Sequence, residues 1–282
     1  MSKVWFITGA NRGIGLEIAK AALAAGDRVV ATARRPEGLA ERLSSASGAA
    51  PGRVLALPLD VDREADAVHA VEQAVARFGA IDVLVNNAGY GQLGLFEEIG
   101  TDAIEQQFRT NVFGLMHVTR AVLPGMRQRR QGRIFNVASV AGFRGFDGAA
   151  VYCASKFAVA GFSASLAAEV AGFGIRVTTV EPGFFRTDFL DASSVRYGAR
   201  PVADYATLEQ PPLSSYAAYD GRQPGDPVKL GREVVALAAL PEPPRHFLAG
   251  SDAVGFARET FGDRLREAEA FAHRSAALDV DA

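Results

Sequence analysis

The stretch Thr8-Gly9-Ala10-Asn11-Arg12-Gly13-Ile14-Gly15 decides the fold through its position in the chain. The apolar run Val4–Thr8 leads into it, and Arg12–Ala25, a segment with a helical period of apolar residues, continues it. The glycines permit a tight turn and let the backbone approach a pyrophosphate, while the first N–H groups of the helix supply positive potential. A turn with a purely structural role is the alternative, but the order strand, turn, helix predicts a dinucleotide-binding unit.

Further short apolar runs alternate with longer helical segments along the chain. The runs predict strands at Arg28–Ala33, Arg53–Leu59, Ile81–Asn86, Arg133–Ala138, Ile175–Val180 and His246–Ala249. The spacing of apolar residues in Glu64–Phe78 predicts an amphipathic helix. Because the strands are continuously apolar, both of their faces are expected to be buried, as in a parallel sheet covered by helices. We therefore predict one α/β domain over residues 1–282, a Rossmann-type doubly wound parallel sheet flanked by helices.

Composition narrows the possible partners. The formal net charge of −2 over 282 residues argues against nucleic acid, which requires a concentrated basic surface. The single cysteine, Cys153, excludes an intramolecular disulfide and fits a reducing compartment, and one cysteine with four scattered histidines predicts no metal site. The first apolar run is too short for a signal peptide, and none reaches membrane-spanning length. We expect a cytoplasmic protein without a membrane partner.

Seven motifs occur between residue 8 and about residue 187. They are the glycine stretch, Asp60-Val61, Asn86-Asn87-Ala88-Gly89, Asn111-x-x-Gly114, Ser139, Tyr152-x-x-x-Lys156 and Pro182-Gly183. In their order and spacing the chain resembles the short-chain dehydrogenase/reductase family, whose nucleotide loop reads Thr-Gly-x-x-x-Gly-x-Gly. The resemblance implies a nicotinamide-dependent oxidoreductase that transfers hydride between the cofactor and a carbonyl or secondary alcohol carbon.

The catalytic prediction centres on Tyr152 and Lys156, which lie four residues apart and therefore project from one helix face. A nearby ammonium favours the phenolate, so we expect a lowered Tyr152 pKa. The resemblance implies that Tyr152 is the general acid or base and that Ser139 stabilises the substrate oxygen. It also implies that Lys156 tunes Tyr152 and binds the nicotinamide ribose, and that Asn111 holds a water linking Lys156 to solvent. Cys153 is expected only to pack.

The dinucleotide is predicted from the end of the second strand. A carboxylate there would bind the ribose diol and repel a 2′-phosphate, but Ala33 is followed by Arg34, whose guanidinium fits a phosphate. Arg12 adds a second charge, so we expect NADP, with NAD possible and ordinary solvated arginines as the alternative. The resemblance places the other cofactor contacts, besides Tyr152 and Lys156, at Gly9, Asn11, Gly13, Ile14, Gly15, Asp60, Val61, Asn87, Ala88, Gly89, Pro182, Gly183, Phe185 and Thr187. Asp60 is alternatively a helix cap.

Residues 183–227 form a long irregular segment that we predict to be a substrate lid. Its aromatic residues suggest an apolar substrate, although packing among themselves is an open alternative: Phe189, Tyr197, Tyr205, Tyr216 and Tyr219. Further candidate pocket walls are Tyr90, Phe143, Arg144 and Phe146. Lys156 is the only charged residue between positions 148 and 168, so that helix is expected to be buried on all sides. The resemblance implies a homodimer or homotetramer through it and Asp102–Arg130.

Three other functions compete with this prediction. A non-catalytic dinucleotide sensor on the same fold has no need for Ser139, Tyr152 and Lys156 together. An epimerase or dehydratase of the related extended group has a shorter glycine spacing and a larger substrate domain. A nucleic-acid binder on a Rossmann scaffold is disfavoured by the charge balance.

Overall fold

The protein is described from a computed structural model that covers residues 2–191, 194–207, 216, 219 and 221–280. Seven parallel strands form one sheet in the order β3-β2-β1-β4-β6-β7-β9. They are β1 Val4–Ile7, β2 Arg28–Ala33, β3 Val54–Pro58, β4 Val83–Asn86, β6 Gly132–Val137, β7 Ile175–Pro182 and β9 His246–Ala249. A separate parallel pair is formed by β5, Gly91–Leu93, and β8, Val195–Tyr197. The predicted doubly wound parallel sheet is confirmed.

Helices cover both faces of the sheet. They are α1 Gly13–Ala24, α2 Leu39–Ser47, α3 Glu64–Phe78, α4 Thr101–Phe108, α5 Gly114–Arg129, α6 Ala150–Val170, α7 Pro227–Ala239 and α8 Ser251–Ala276. Apolar residues of α3, α5 and α6 pack with one set of strand side chains, and those of α1, α2 and α7 pack with the other. This division is the consequence of strands that are apolar on both faces.

Local sequence explains where several elements begin. Asp226 caps α7 by accepting hydrogen bonds from the backbone N–H groups of Val228 and Lys229, and Pro227 occupies the first helical turn. The predicted helix Glu64–Phe78 and the strands Arg28–Ala33 and His246–Ala249 have the bounds observed in the structure. α2, α4, α7, α8 and the β5–β8 pair were not predicted from the sequence.

The helix that carries the tyrosine and lysine pair is long and apolar enough to cross a membrane. Together with the 3-10 turn that follows it, it covers Ala150–Phe173, and an 18-residue stretch of this segment has a mean hydropathy of 1.3. It packs against β7 and contributes Leu166, Ala167 and Val170 to the core. Within the described part of the chain it is therefore a core helix of the α/β domain.

The segment predicted as a lid is described only in part. Positions 192–193, 208–215, 217–218 and 220 lie outside the described residues. Within the remainder, β8 pairs with β5, and a 3-10 turn covers Ala203–Thr207. Phe185 and Gly225, near the two ends of the segment, form an isolated parallel bridge. The two ends of the segment therefore lie beside each other.

Candidate active site

A cavity of about 340 Å³ opens at the carboxyl ends of the central strands, where the sheet order reverses between β1 and β4. Nearly all of the predicted site residues line it: Gly9, Asn11, Arg12, Gly13, Ile14, Arg34, Asp60, Val61, Asn87, Ala88, Gly89, Ser139, Tyr152, Lys156, Pro182, Gly183, Phe185 and Thr187. Gly15 and Asn111 do not line it. The structure thus brings the predicted cofactor and catalytic residues to one cavity.

The glycine loop is held against the end of β4 by hydrogen bonds. The Asn87 side-chain amide donates to the carbonyl oxygens of Thr8 at 3.0 Å and Gly9 at 3.1 Å. The Thr8 hydroxyl accepts from the backbone N–H groups of Asn87 and Ala88. Gly9 has φ +63°, and a Cβ on Gly15 would overlap the Asn87 amide. Gly15 is therefore required for this packing and does not face the cavity.

The loop fits a pyrophosphate. Arg12, at the N-cap of α1, makes no side-chain cap hydrogen bond, and the first turn of α1 contains no acidic residue. Gly13 has φ +54°, and a Cβ built on it would approach only Thr187, on the opposite wall of the cavity. The helix N-terminus therefore offers N–H groups and positive potential to a phosphate between these walls.

The end of β2 carries positive charge next to the loop. Ala33, the last residue of β2, is buried, and the exposed Arg34 lines the cavity. Arg42, on α2, donates from Nη2 to the carbonyl oxygen of Asn11 at 2.6 Å. This hydrogen bond to the glycine loop was not predicted from the sequence, because no motif links residues 31 positions apart.

Ser139 and Tyr152 meet across the cavity. Ser139 follows β6, and its side chain also accepts a hydrogen bond from the Ala141 N–H at 3.1 Å. Burial raises the pKa of the Tyr152 hydroxyl, and its hydrogen bond with Ser139 acts in the opposite direction. The net upward direction corrects the lowered pKa expected from the Tyr-Lys spacing. Burial is the main cause, and the Lys156 ammonium, whose Nζ lies 5.8 Å from the Tyr152 ring centroid, donates to the Val137 carbonyl oxygen.

Lys156 is buried behind Tyr152. Its Nζ donates to the carbonyl oxygen of Val137, the last residue of β6, at 2.9 Å. Burial lowers the pKa of Lys156 to about 8. The ammonium therefore lies beside Tyr152, in a position where it loses its proton more readily than an ordinary lysine does.

Asn111 lies in a π-helical turn, Arg109–Phe113, that joins α4 to α5. Its side chain accepts from the Tyr90 N–H at 3.1 Å and donates to the Tyr90 carbonyl oxygen at 3.0 Å. It also donates to the Ser155 hydroxyl at 3.3 Å, next to Lys156 in α6. Such turns often occur at functional sites, and here the turn fixes the chain after the Asn-Asn-Ala-Gly motif. The proposed water at Asn111 stays a prediction.

Aromatic side chains line the part of the cavity that we predict to hold the substrate, called the substrate half below. Phe146, Phe184, Phe189, Leu190 and Tyr216 line it, and the Phe189 ring lies 5.5 Å from the Tyr152 ring. Tyr90 also lines it. Phe189, Tyr216, Tyr90 and Phe146 are thus at the cavity, whereas their role toward a substrate stays a prediction.

Other residues predicted for this half are engaged elsewhere. Phe143 packs on Phe261 of α8, and Arg144 pairs with Glu259. The Tyr205 hydroxyl donates to Glu97 at the surface. Tyr197 and Tyr219 are exposed and do not line the cavity, and the Tyr219 ring contacts the Phe184 ring at a tilt of 45°. Cys153 packs in an apolar cluster as predicted.

Comparison with known proteins identifies the family. A model described as short chain dehydrogenase matches residues 3–197. The chain is 39% identical over 264 residues to Oxidoreductase BOA17 of Botryotinia fuckeliana, covering 91% of this chain and 92% of that protein. A short-chain dehydrogenase from Streptomyces avermitilis superposes with a TM-score of 0.90 at 37% identity, covering 99% of this chain and 100% of that one. The chain belongs to the short-chain dehydrogenase family.

Two further solved structures contain dinucleotides. An actinorhodin polyketide ketoreductase with NADPH has a TM-score of 0.71 and 33% identity, covering 84% of this chain and 90% of that one. A short chain dehydrogenase/reductase from Burkholderia phymatum in complex with NAD has a TM-score of 0.80 and 26% identity, covering 94% and 95%. The protein is accordingly an oxidoreductase enzyme of this family with a nicotinamide dinucleotide cofactor.

Proposed function

We propose that the protein is an NADP(H)-dependent oxidoreductase acting on a carbonyl or secondary alcohol, with Tyr152 as general acid and base. One observation carries this proposal: Tyr152 and Ser139 line the same cavity as the glycine loop. A dinucleotide-sensing protein would have no use for this pair.

The chemistry follows from the state of each side chain. The bound nicotinamide supplies or accepts the hydride. Tyr152 retains its proton at neutral pH because burial raises its pKa, so its hydroxyl is a proton donor to the carbonyl oxygen in reduction. Ser139 donates a hydrogen bond to the same oxygen and stabilises its developing negative charge. Lys156 keeps positive charge beside them and donates to the cofactor ribose.

Turnover tests the role of Tyr152. Ketones, quinones and alcohols are screened by the change in NADPH absorbance, and Tyr152→Phe is then compared with wild type on the best substrate. We expect kcat to fall by at least about 10²-fold, the lower end of a general acid's contribution, with NADPH affinity unchanged. The control is Tyr205→Phe, which removes a surface hydroxyl bonded to Glu97 and should retain full activity. Full turnover by Tyr152→Phe would reject the proposed proton donor.

The preference for NADP is proposed from Arg34 and Arg12, which line the cavity beside an end of β2 that carries no carboxylate. Arg34→Asp should lower the ratio of kcat/KM for NADPH to that for NADH by about 10²-fold, since it replaces attraction by repulsion. Arg35→Asp is the matched control, because Arg35 is exposed and does not line the cavity. An unchanged ratio in Arg34→Asp would reject this assignment.

An apolar ketone or alcohol is the proposed substrate class. The aromatic substrate half of the cavity supports it, as does the likeness to a polyketide ketoreductase. Enclosing an apolar substrate group contributes roughly 25 cal/mol per Å² of buried apolar surface. We expect kcat/KM to increase along a series of ketones with larger apolar groups. A preference for small hydrophilic carbonyls would contradict it.

A homodimer or homotetramer in the cytoplasm is proposed for the assembly. Phe157 of α6 is 38% exposed and Phe113, before α5, is 51% exposed, so both present apolar surface on the described part of the chain. A helix apolar on this side gains from burial against a second copy. Light scattering should give a multiple of 29.8 kDa, and Phe157→Glu with Phe113→Glu should give the monomer. A monomeric wild type would refute the proposed assembly. Cell fractionation tests the location, and recovery outside the cytoplasmic fraction would contradict it.

A further inference from the structure

The C-terminal helix α8 is bonded to the wall of the cavity that carries Pro182 and Gly183. Asp252, in the first turn of α8, accepts a hydrogen bond from the Phe184 N–H at Oδ2, with a distance of 2.7 Å. Its Oδ1 accepts from the Ala253 N–H at 2.9 Å. One carboxylate thus satisfies a donor of the helix start and a donor of the cavity wall, although Phe184 and Asp252 are 68 residues apart.

The Asp252 carboxylate packs directly against the backbone of Gly183 in the cavity wall. A Cβ placed on Gly183 would overlap the Asp252 carboxyl group, and the three nearest atoms all belong to that side chain. Gly250, which precedes α8, has φ +104°, a backbone conformation that L residues rarely adopt. A glycine at 183 is therefore required by Asp252 itself.

The rest of α8 contacts the loop after β6 as well. The Phe256 ring packs edge-on against Phe146 with centroids 5.7 Å apart, and against Phe184 with centroids 6.4 Å apart. Arg264 donates from Nη2 to the Phe143 carbonyl oxygen at 2.7 Å. Phe146 and Phe184 both line the cavity, whereas Phe256 stands behind them. α8 therefore supports the substrate side of the cavity from outside on two separate loops.

We propose that Asp252 is a positioning residue, which holds the segment Pro182–Phe184 at the distance that the nicotinamide requires. This proposal rests on the proposed function for its effect on turnover. Asp252 touches neither the cavity nor the reacting atoms and acts through the Phe184 N–H and the space around Gly183. The C-terminal helix is then part of the active site's framework.

The first test removes and restores the hydrogen bond. Loss of a hydrogen bond from a charged acceptor is expected to raise the Kd for NADPH by about tenfold in Asp252→Ala and to lower kcat. In Asp252→Asn the amide oxygen still accepts from the Phe184 N–H, so the Kd should return to within about threefold of wild type. Glu267→Ala is the control, because Glu267 is an exposed residue of α8. Equal NADPH affinity in wild type and Asp252→Ala would overturn the proposal.

The second test uses the contact with Gly183. Gly183→Ala in the wild-type background should weaken NADPH binding by about tenfold or more, because the new Cβ overlaps Asp252. In the Asp252→Ala background the same substitution should add less than about twofold, since the overlapping atoms are gone. Equal effects of Gly183→Ala in both backgrounds would show that the two residues act independently and would refute the coupling.

The two proposals fail in different ways. NADPH binding is followed by the cofactor's own fluorescence, so it requires no turnover. A wild type that binds NADPH and reduces no substrate would contradict the proposed function, while the Kd values of the Asp252 and Gly183 variants still decide the positioning role. Thermal unfolding is recorded for every variant. If Asp252→Ala does not fold, the double variant Asp252→Asn with Gly183→Ala replaces it, because the new Cβ at position 183 still overlaps the side chain at position 252 there. A Kd for NADPH equal to that of Asp252→Asn alone would then overturn the proposal.

Discussion

Replacing Lys156 by methionine should make the protein without cofactor more stable, although it removes a residue of the proposed catalytic site. Lys156 is 7% exposed, and burial lowers its pKa to about 8, against 10.5 for an ordinary lysine. One pKa unit corresponds to about 1.36 kcal/mol, so at neutral pH the buried ammonium destabilises the fold by about 3 kcal/mol. Losing the hydrogen bond to the Val137 carbonyl offsets about 1 kcal/mol of the stabilisation gained by removing the ammonium. We expect a net gain of about 2 kcal/mol for Lys156→Met.

The contribution of Lys156 to the stability of the fold changes with pH. Between pH 8 and 10.5 the unfolded chain binds more protons at Lys156 than the folded chain, so wild-type stability from this group rises with pH. The stabilisation is fully present above pH 10.5 and is lost as the pH falls through about 8. The advantage of Lys156→Met should therefore be largest below pH 8 and should disappear at about pH 10.5.

Urea unfolding followed by tryptophan fluorescence measures this difference at a fixed protein concentration. Trp5 is the single tryptophan, fully buried on β1, with its indole N–H donating to Asp27 at 2.8 Å. Lys229→Met is the matched control, because Lys229 is exposed on α7 and its replacement should change stability by less than about 0.5 kcal/mol. A Lys156→Met variant no more stable than wild type at pH 7, or an advantage independent of pH, would refute the reasoning.

Three further results are expected. Ser139→Ala should lower kcat by about 10²-fold or more and leave the NADPH Kd unchanged in binding titrations, and a kcat near wild type would contradict its role at the substrate oxygen. NADPH binding at pH 8.5 should take up most of one proton at Lys156, measured by calorimetry in buffers of different ionisation enthalpy, with no uptake in Lys156→Met. Gly231→Ala should destabilise the fold by about 1–3 kcal/mol in urea, because its Cβ would lie 2.5 Å from the α1 backbone. Gly255→Ala, in an open helical position, should not.

Patterns among neighbouring residues were sufficient to predict the sheet and the glycine loop on the cofactor side of the cavity. The strand Arg28–Ala33 and the helix Glu64–Phe78 follow from apolar periodicity within a few neighbouring residues. The glycine loop is likewise a local signal, because a tight turn and a helix start are set by adjacent residues. α2 and α4 escaped prediction because they are short and their exposed faces dilute the apolar pattern.

Contacts between distant residues could not be predicted in this way. Arg42 reaches the Asn11 carbonyl oxygen from another helix, and Asp252 reaches Phe184 from the C-terminal helix. Neither pair leaves a spacing signal, since it depends on how α2 and α8 pack on the domain. The pKa of Tyr152 shows the same limit: the spacing to Lys156 predicts a decrease, but burial, a property of the whole fold, decides the direction.

Burial acts on Tyr152 and Lys156 in one physical sense, since it favours the uncharged form of each, but the chemical results differ. The phenol keeps its proton throughout the neutral range and is ready to donate it. The ammonium, with a pKa of about 8, keeps its proton only below that value. Both groups therefore carry the protons that the proposed carbonyl reduction requires between neutrality and about pH 8. In the proposed mechanism oxidation requires a phenolate, which burial opposes, so an additional positive charge at the site would have to lower the tyrosine pKa before the alcohol reacts.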